Sequence, residues 1–222
     1  MKLKIVGALL ILAMASVSHA SGVQLSRTRF LIEDGATKVS YGLTNHSKSP
    51  ILASATMSNL DGSATDAFAV YPSLYQVQPN KTNQGQIVLL KQLPSDKESV
   101  FWLTVKTVNA APEKEGSNQL QIALAQSVKV FYRPKGLKEN TNTGLKKLNW
   151  NLTKDGIQAV NDSKVSFSIF SVTDLNNKVH RIGDVVLPGT DKLWKIDNKG
   201  VAITSFTFVD EYGNYINQKI NK

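Results

Sequence analysis

The sequence predicts an all-β chain folded as two sandwiches, and three observations carry that expectation. Short runs rich in Val, Ile, Thr, Phe and Tyr recur, separated by Gly, Asn, Asp, Ser and Pro; many short strands joined by turns give this pattern. Helical periodicity is nearly absent. Once an N-terminal targeting segment is set aside, about 200 residues remain, twice the roughly 100 of a single sandwich.

The targeting segment is residues 1–20. Lys2 and Lys4 precede an apolar run from Ile5 to Met14, and Ser18-His19-Ala20 offers small residues for cleavage before Ser21. That order is the order of a secretory signal peptide, too short for a membrane span. No later stretch reaches the roughly 18 apolar residues a span needs, so no membrane insertion is expected.

Strands are expected in the first half at Gln24–Ile32, Lys38–Thr44, Ile51–Ser58, Ala67–Tyr71, Leu74–Val77, Gln86–Leu90, Phe101–Val108 and Leu120–Tyr132. Asp34-Gly35 and Asp61-Gly62 have turn chemistry. Pro72 and Pro79 bracket Ser73–Gln78, which marks an edge or corner strand. The polar stretch Lys135–Gly144 reads as a linker, giving domains at 21–137 and 145–222 with 138–144 between them. Beyond it, strands are expected at Leu145–Leu152, Gly156–Val160, Val165–Val172, Lys178–Ile182, Lys192–Ile196, Ala202–Val209 and Tyr215–Ile220.

The last strand of the first half is unusual. Leu120, Ile122 and Leu124 alternate with Gln121, Ala123 and Ala125, so the apolar three share one face. Lys129 lies on the other parity, amid Val128, Val130 and Phe131. A bulge near Ala125–Ser127 would bring all four onto one surface. Ordinary core packing for the apolar three is the plain alternative.

Composition excludes several functions. The net charge is +9, or +7 once Lys2 and Lys4 are removed. That surplus favours an acidic partner or an anionic group, yet no nucleic-acid recognition pattern accompanies it. There are no cysteines, so neither disulfides nor thiol chemistry contribute. After cleavage only His46 and His180 remain, far apart, which gives poor support to a metal site or a His-based triad. No Gly-x-Ser-x-Gly, P-loop or dinucleotide fingerprint is present. No cofactor is expected, and a secreted hydrolase lacks its catalytic set.

Three separated motifs point to a specific family: Gln24-Leu-Ser-Arg-Thr-Arg29, Glu98-Ser-Val-Phe101 and Val128-Lys-Val-Phe-Tyr-Arg-Pro134. In order and spacing they resemble the periplasmic pilus chaperones of the chaperone–usher (PapD-like) family. The resemblance implies two immunoglobulin-like sandwiches around an interdomain cleft. It implies binding of pilus subunits by donor-strand complementation and their delivery to an outer-membrane usher. Arg29 and Lys129 would bind the subunit's C-terminal carboxylate. Leu120, Ile122 and Leu124 would be the donor strand. Glu98, Arg133 and Glu211 would form interdomain salt bridges, although Asp210 competes with Glu211 for that place. The short Asn109–Gln119 loop and the lack of cysteines are similar to the short-loop branch. A secreted pilin or adhesin-like sandwich is the rival, disfavoured because this chain carries a complete last strand and a second sandwich.

Overall fold

The computed structural model describes residues 22–33, 35–110, 122–196 and 201–220; the signal segment and Leu120 lie outside the described residues. The architecture is all-β, with two sandwiches. The first is built from β1 (Val23–Leu25), β2 (Arg29–Ile32), β3 (Lys38–Asn45), β4 (Ile51–Asn59), β5 (Phe68–Tyr71), β6 (Leu74–Val77), β7 (Thr82–Leu89), β8 (Ser99–Asn109) and β9 (Leu124–Tyr132). One sheet has the order β1-β3-β7-β5 and the other β2-β9-β8-β4-β6. Phe30, Ile32, Tyr41, Leu43, Ile87, Leu103, Val105 and Val130 fill the space between them. The proline-bracketed β6 lies at a sheet edge, where a missing N–H is tolerated.

The single strand expected at Gln24–Ile32 is two strands in opposite sheets. Leu25 has odd parity, Phe30 and Ile32 even, yet all three are buried in one core. A flat strand would send them to opposite faces. Crossing from one sheet to the other resolves the conflict. The crossing begins at Ser26, whose N–H donates to the Gly42 carbonyl at 2.9 Å while its hydroxyl accepts from Gly42 N–H at 2.9 Å.

The expected bulge in β9 is absent. Antiparallel pairing with β8 runs without interruption from Leu124↔Thr107 to Tyr132↔Ser99. Alternation therefore holds throughout. Leu124, Val128 and Val130 belong to the core-facing row, and Lys129 and Phe131 to the outward row.

The second sandwich comprises β10 (Leu148–Thr153), β11 (Gly156–Asn161), β12 (Phe167–Asp174), β13 (Val179–Val186), β14 (Thr190–Trp194), β15 (Ile203–Val209) and β16 (Tyr215–Lys219). Its sheets have the orders β10-β11-β14 and β13-β12-β15-β16. Its separate core includes Ile157, Val165, Phe167, Ile169, Phe206 and Phe208.

The stretch expected as linker and strand start is partly helical. Helix α1 covers Thr141–Gly144, a 3-10 turn follows at Leu145–Lys147, and the strand starts only at Leu148. Asn140 caps α1: its side chain accepts from Thr143 N–H, and its own N–H donates to the Thr143 hydroxyl, both at 3.0 Å. This reciprocal cap satisfies N–H groups that a bare helix start would leave open. Leu137 and Leu145 both pack on the second core, so the connection is tied to that sandwich.

Candidate functional site

Arg29 and Lys129 are Cα partners where β2 and β9 run parallel, about 4.8 Å apart across the ladder. Both side chains emerge on the outward face, toward the second sandwich. The Arg29 guanidinium donates through Nη1 to the Ser168 hydroxyl on β12 at 2.9 Å, across the domain junction. It also lies 5.6 Å from the Phe131 ring centroid. The Lys129 ammonium lies 4.9 Å over the ring of Trp102, its Cα partner on β8.

The electrostatics of this pair are unsettled. Burial pushes the Lys129 ammonium down to about 8; the neighbouring Arg29 charge adds to the shift and Asp184 opposes it. Burial also lowers Arg29, against the pull of Asp210, Tyr215 and Glu211. Among the described residues neither cation has an ion-pair partner. A fork of guanidinium donors beside a partly desolvated ammonium is a receptor for a carboxylate. An incoming anion would relieve the repulsion between them.

Four residues after Lys129 in the chain, Arg133 is treated differently. Its Nη2 lies 3.0 Å from Glu98 Oε1 and 3.1 Å from Glu211 Oε1, and Nη1 lies 3.8 Å from Glu33 Oε2. Glu98 also reaches the second sandwich, accepting from Ser166 N–H at 2.8 Å. Glu211 accepts from the Thr141 hydroxyl at 2.7 Å. The carboxylate on Arg133 is thus Glu211; Asp210 instead holds its own turn by accepting from the N–H groups of Tyr212 and Asn214. Burial works against the Arg133 charge, but Glu98 and Glu211 outweigh it and raise its pKa. Burial pushes the Glu98 carboxyl up, against Ser166 N–H and Arg133.

The third set is on the core-facing row. Val130 is 0 % exposed, Leu124 is 53 % and Ile122 is 63 %. The row thus leaves the core and continues into solvent. Ile122 and Leu124 border a groove of about 210 Å³ with Val23, Ile51 and Val108. The edge of β9 is also open there: β2 covers only Lys129–Tyr132. Opposite that open edge the chain has crossed into the other sheet as β1, and only the Gln126 side chain reaches it, donating to the Val23 carbonyl at 2.7 Å.

Neither histidine joins these residues. His180 Nε2 is buried 3.0 Å from Asp174 Oδ2, and His46 Nε2 is 3.2 Å from Gln24 Oε1 at the surface. Among the described residues no group of three or more His, Cys, Asp or Glu side chains could hold a metal ion, and no helix is long and apolar enough to cross a membrane. Sequence reasoning missed Trp102, Ser166, Ser168 and Thr141. Trp102 had a signal, since its parity is opposite to the core residues Phe101 and Leu103. The two serines and the threonine carry none.

Residues 22–138 match the family model for the N-terminal domain of PapD, the pili and flagellar-assembly chaperones. The "Chaperone protein LpfB" of Salmonella typhimurium is 29% identical over 222 residues, covering 96% of this chain and 96% of that protein. The "Probable fimbrial chaperone LpfB" of Escherichia coli O157:H7 is 34% identical over 172 residues, covering 76% of this chain and 73% of that protein. Among solved structures, the Salmonella enterica SafA pilin in complex with the SafB chaperone contains a chain with this fold. Its TM-score is 0.79 at 21% identity, covering 92% of this chain and 99% of that one. The match spans more than half of the sequence and takes in all three motifs, and the chain belongs to the PapD-type family of pili and flagellar-assembly chaperones.

Proposed function

We propose that this protein is an exported, periplasmic chaperone that binds pilus subunits by donor-strand complementation and hands them to an outer-membrane usher. The observation that carries the reading is the open edge of β9, Leu124–Val128, which runs into Arg29 and Lys129. β2 lies parallel to β9. A guest strand that extends the line of β2 along the open edge has its C-terminus at Arg29. Its terminal carboxylate then falls between guanidinium and ammonium, and its main chain pairs with β9. Ile122 and Leu124, with Leu120 before them, supply alternate side chains to the guest's own incomplete core.

The role is binding rather than catalysis. A subunit with an unpaired edge and an unfilled groove is prone to aggregate, and one lent strand covers both. The short Asn109–Gln119 connection places the protein, in this reading, in the short-loop branch.

The test is co-expression with a pilus subunit. Arg29→Ala and Lys129→Ala are each expected to remove the subunit from the purified complex while leaving the chaperone folded. Removing one member of a desolvated charge set costs roughly 2–5 kcal/mol of binding. Wild-type recovery of subunit with either variant sinks the carboxylate assignment.

A further inference from the structure

The cleft has a second wall with chemistry of its own. Ser168, Val209 and Tyr215 are Cα partners in a row across β12, β15 and β16, so their side chains share one face. Ser168 is the residue that receives Arg29, which fixes that face as the one lining the cleft. Next along β12 the register shifts between Ile169 and Ser171 in both pairings. The extra residue of this bulge is Phe170. Bulges re-aim side chains, and here Phe170 meets the Tyr215 ring edge to face at 4.8 Å between centroids. The Arg181 guanidinium lies 4.1 Å over the other side of the cluster, on the Phe170 ring centroid. Among the described residues Arg181 has no ion pair.

Both walls open in the same direction. On the first, the outward row of β9 goes from buried Phe131 through part-buried Lys129 to exposed Ser127. On the second, Ser166 and Ser168 are buried while Tyr215 is 64% exposed. A strand anchored at Arg29 and lying along β9 leaves through this mouth. Its side chains alternate between the core side and the cleft side. The last one on the cleft side faces Phe170 and Tyr215.

We propose that Phe170, Tyr215 and Arg181 form a specificity shelf that selects an aromatic side chain at the carboxyl end of the captured strand. The proposal rests on the carboxylate-anchor reading of Arg29 and Lys129. An aliphatic side chain gains only buried area on the shelf. An aromatic ring adds an edge-to-face or offset contact with Tyr215 and approaches the face of a guanidinium already held planar on Phe170. Tyr215 is exposed in the free protein, so the contact requires no rearrangement of the second sandwich.

The experiment uses synthetic strand-forming peptides with a free C-terminal carboxylate, differing only in whether the last cleft-side residue is Phe, Tyr, Leu or Ala. Their binding to the purified protein is followed by NMR titration. The aromatic peptides are expected to bind roughly 3- to 10-fold tighter than the alanine peptide. Tyr215→Ala should erase that preference and Tyr215→Phe should keep it; because Tyr215 is mostly exposed, neither change threatens folding. Phe170→Ala gives a second reading of the same shelf. Arg29→Ala should weaken every peptide equally. If all peptides need Arg29 but bind with equal affinity, the shelf is overturned and the anchor stands. If Arg29→Ala changes nothing, the anchor reading falls and the shelf with it.

Discussion

Lys129 and Arg133 stand on the same outward row, and their surroundings treat their charges in opposite ways. Arg133 is held by Glu98 and Glu211, so its charge is part of the fold. Lys129 has Arg29 beside it and is pushed down to about 8, mainly by burial. For stability, a folded pKa below the unfolded value near 10.4 means that folding disfavours the proton. Folding should therefore gain from this group as pH rises from about 8 toward 10.4. Capture of a carboxylate has the opposite sign. The bound anion raises the Lys129 pKa, so above pH 8 binding must take up a proton, and affinity is expected to fall as pH rises through about 8. Measured subunit or peptide affinity between about pH 6.5 and 9.5 should show this alkaline loss. Lys129→Arg, charged throughout, should flatten it. A flat profile in the wild-type protein would show that Lys129 does not meet the anion.

At the scale of elements, β9 is one strand with two environments along its core-facing row. Val130 is sealed in the first core, and Leu124 and Ile122 are not. Ile122→Asp is therefore expected to leave stability within about 0.5 kcal/mol of wild type, as for an exposed site. A core truncation such as Leu103→Ala should cost about 2–5 kcal/mol. Subunit protection should behave the other way: lost with Ile122→Asp, because a carboxylate is not desolvated in an apolar groove, and kept with Ala123→Asp on the other parity. An unfolded Ile122→Asp protein would return Ile122 to the chaperone's own core. The alternation that separates these residues was legible in the sequence, because period 2 survives any tertiary context. The invoked bulge was unnecessary, since Lys129 and Leu124 serve different faces and need not share one. The break at Ser26 was not legible, because both halves of Gln24–Ile32 have strand composition and only the far sheet decides where each pairs. Helix α1 was hidden for a related reason: Asn140-Thr-Asn-Thr-Gly144 has turn composition, and its cap is made by hydrogen bonds no pattern reports. The charged site residues were singled out through family resemblance; charges alone look solvated. Phe170 and Tyr215 gave no signal, because a bulge brings them together from distant strands.

For the whole molecule, the relation between the sandwiches is set by polar contacts, because the two apolar cores are separate. Arg133 ties Glu98 to Glu211, Glu98 accepts from Ser166 N–H, its own N–H donates to the Lys164 carbonyl, and Arg29 donates to Ser168. The β15–β16 turn is pressed against the first sandwich: a Cβ on Gly213, at φ +95°, would lie 2.9 Å from the Thr28 hydroxyl oxygen. The connecting segment is pinned as well, Thr141 on Glu211 and Glu139 on Lys147. Such a junction should be rigid and yet hang on few groups. Arg133→Ala is expected to cost about 3–5 kcal/mol, because it strands buried carboxylates. Much of that loss should be coupling between the halves. The tryptophans allow the distinction, with Trp102 in the first sandwich and Trp150 and Trp194 in the second. In wild type, total fluorescence and a Trp102→Phe background should report one shared unfolding transition; in Arg133→Ala the two halves should separate. Burial already raises the Glu98 pKa, so a stranded Glu98 penalises the folded state more as pH rises above its unfolded value of about 4.3. The variant should thus suffer less near pH 5 than near pH 8. Adding Glu98→Gln should recover part of the loss, since a neutral amide needs no cation. Coincident transitions at the wild-type midpoint in Arg133→Ala would mean that the orientation of the two sandwiches is held elsewhere, by the Glu98–Ser166 and Arg29–Ser168 hydrogen bonds or by the turn at Gly213.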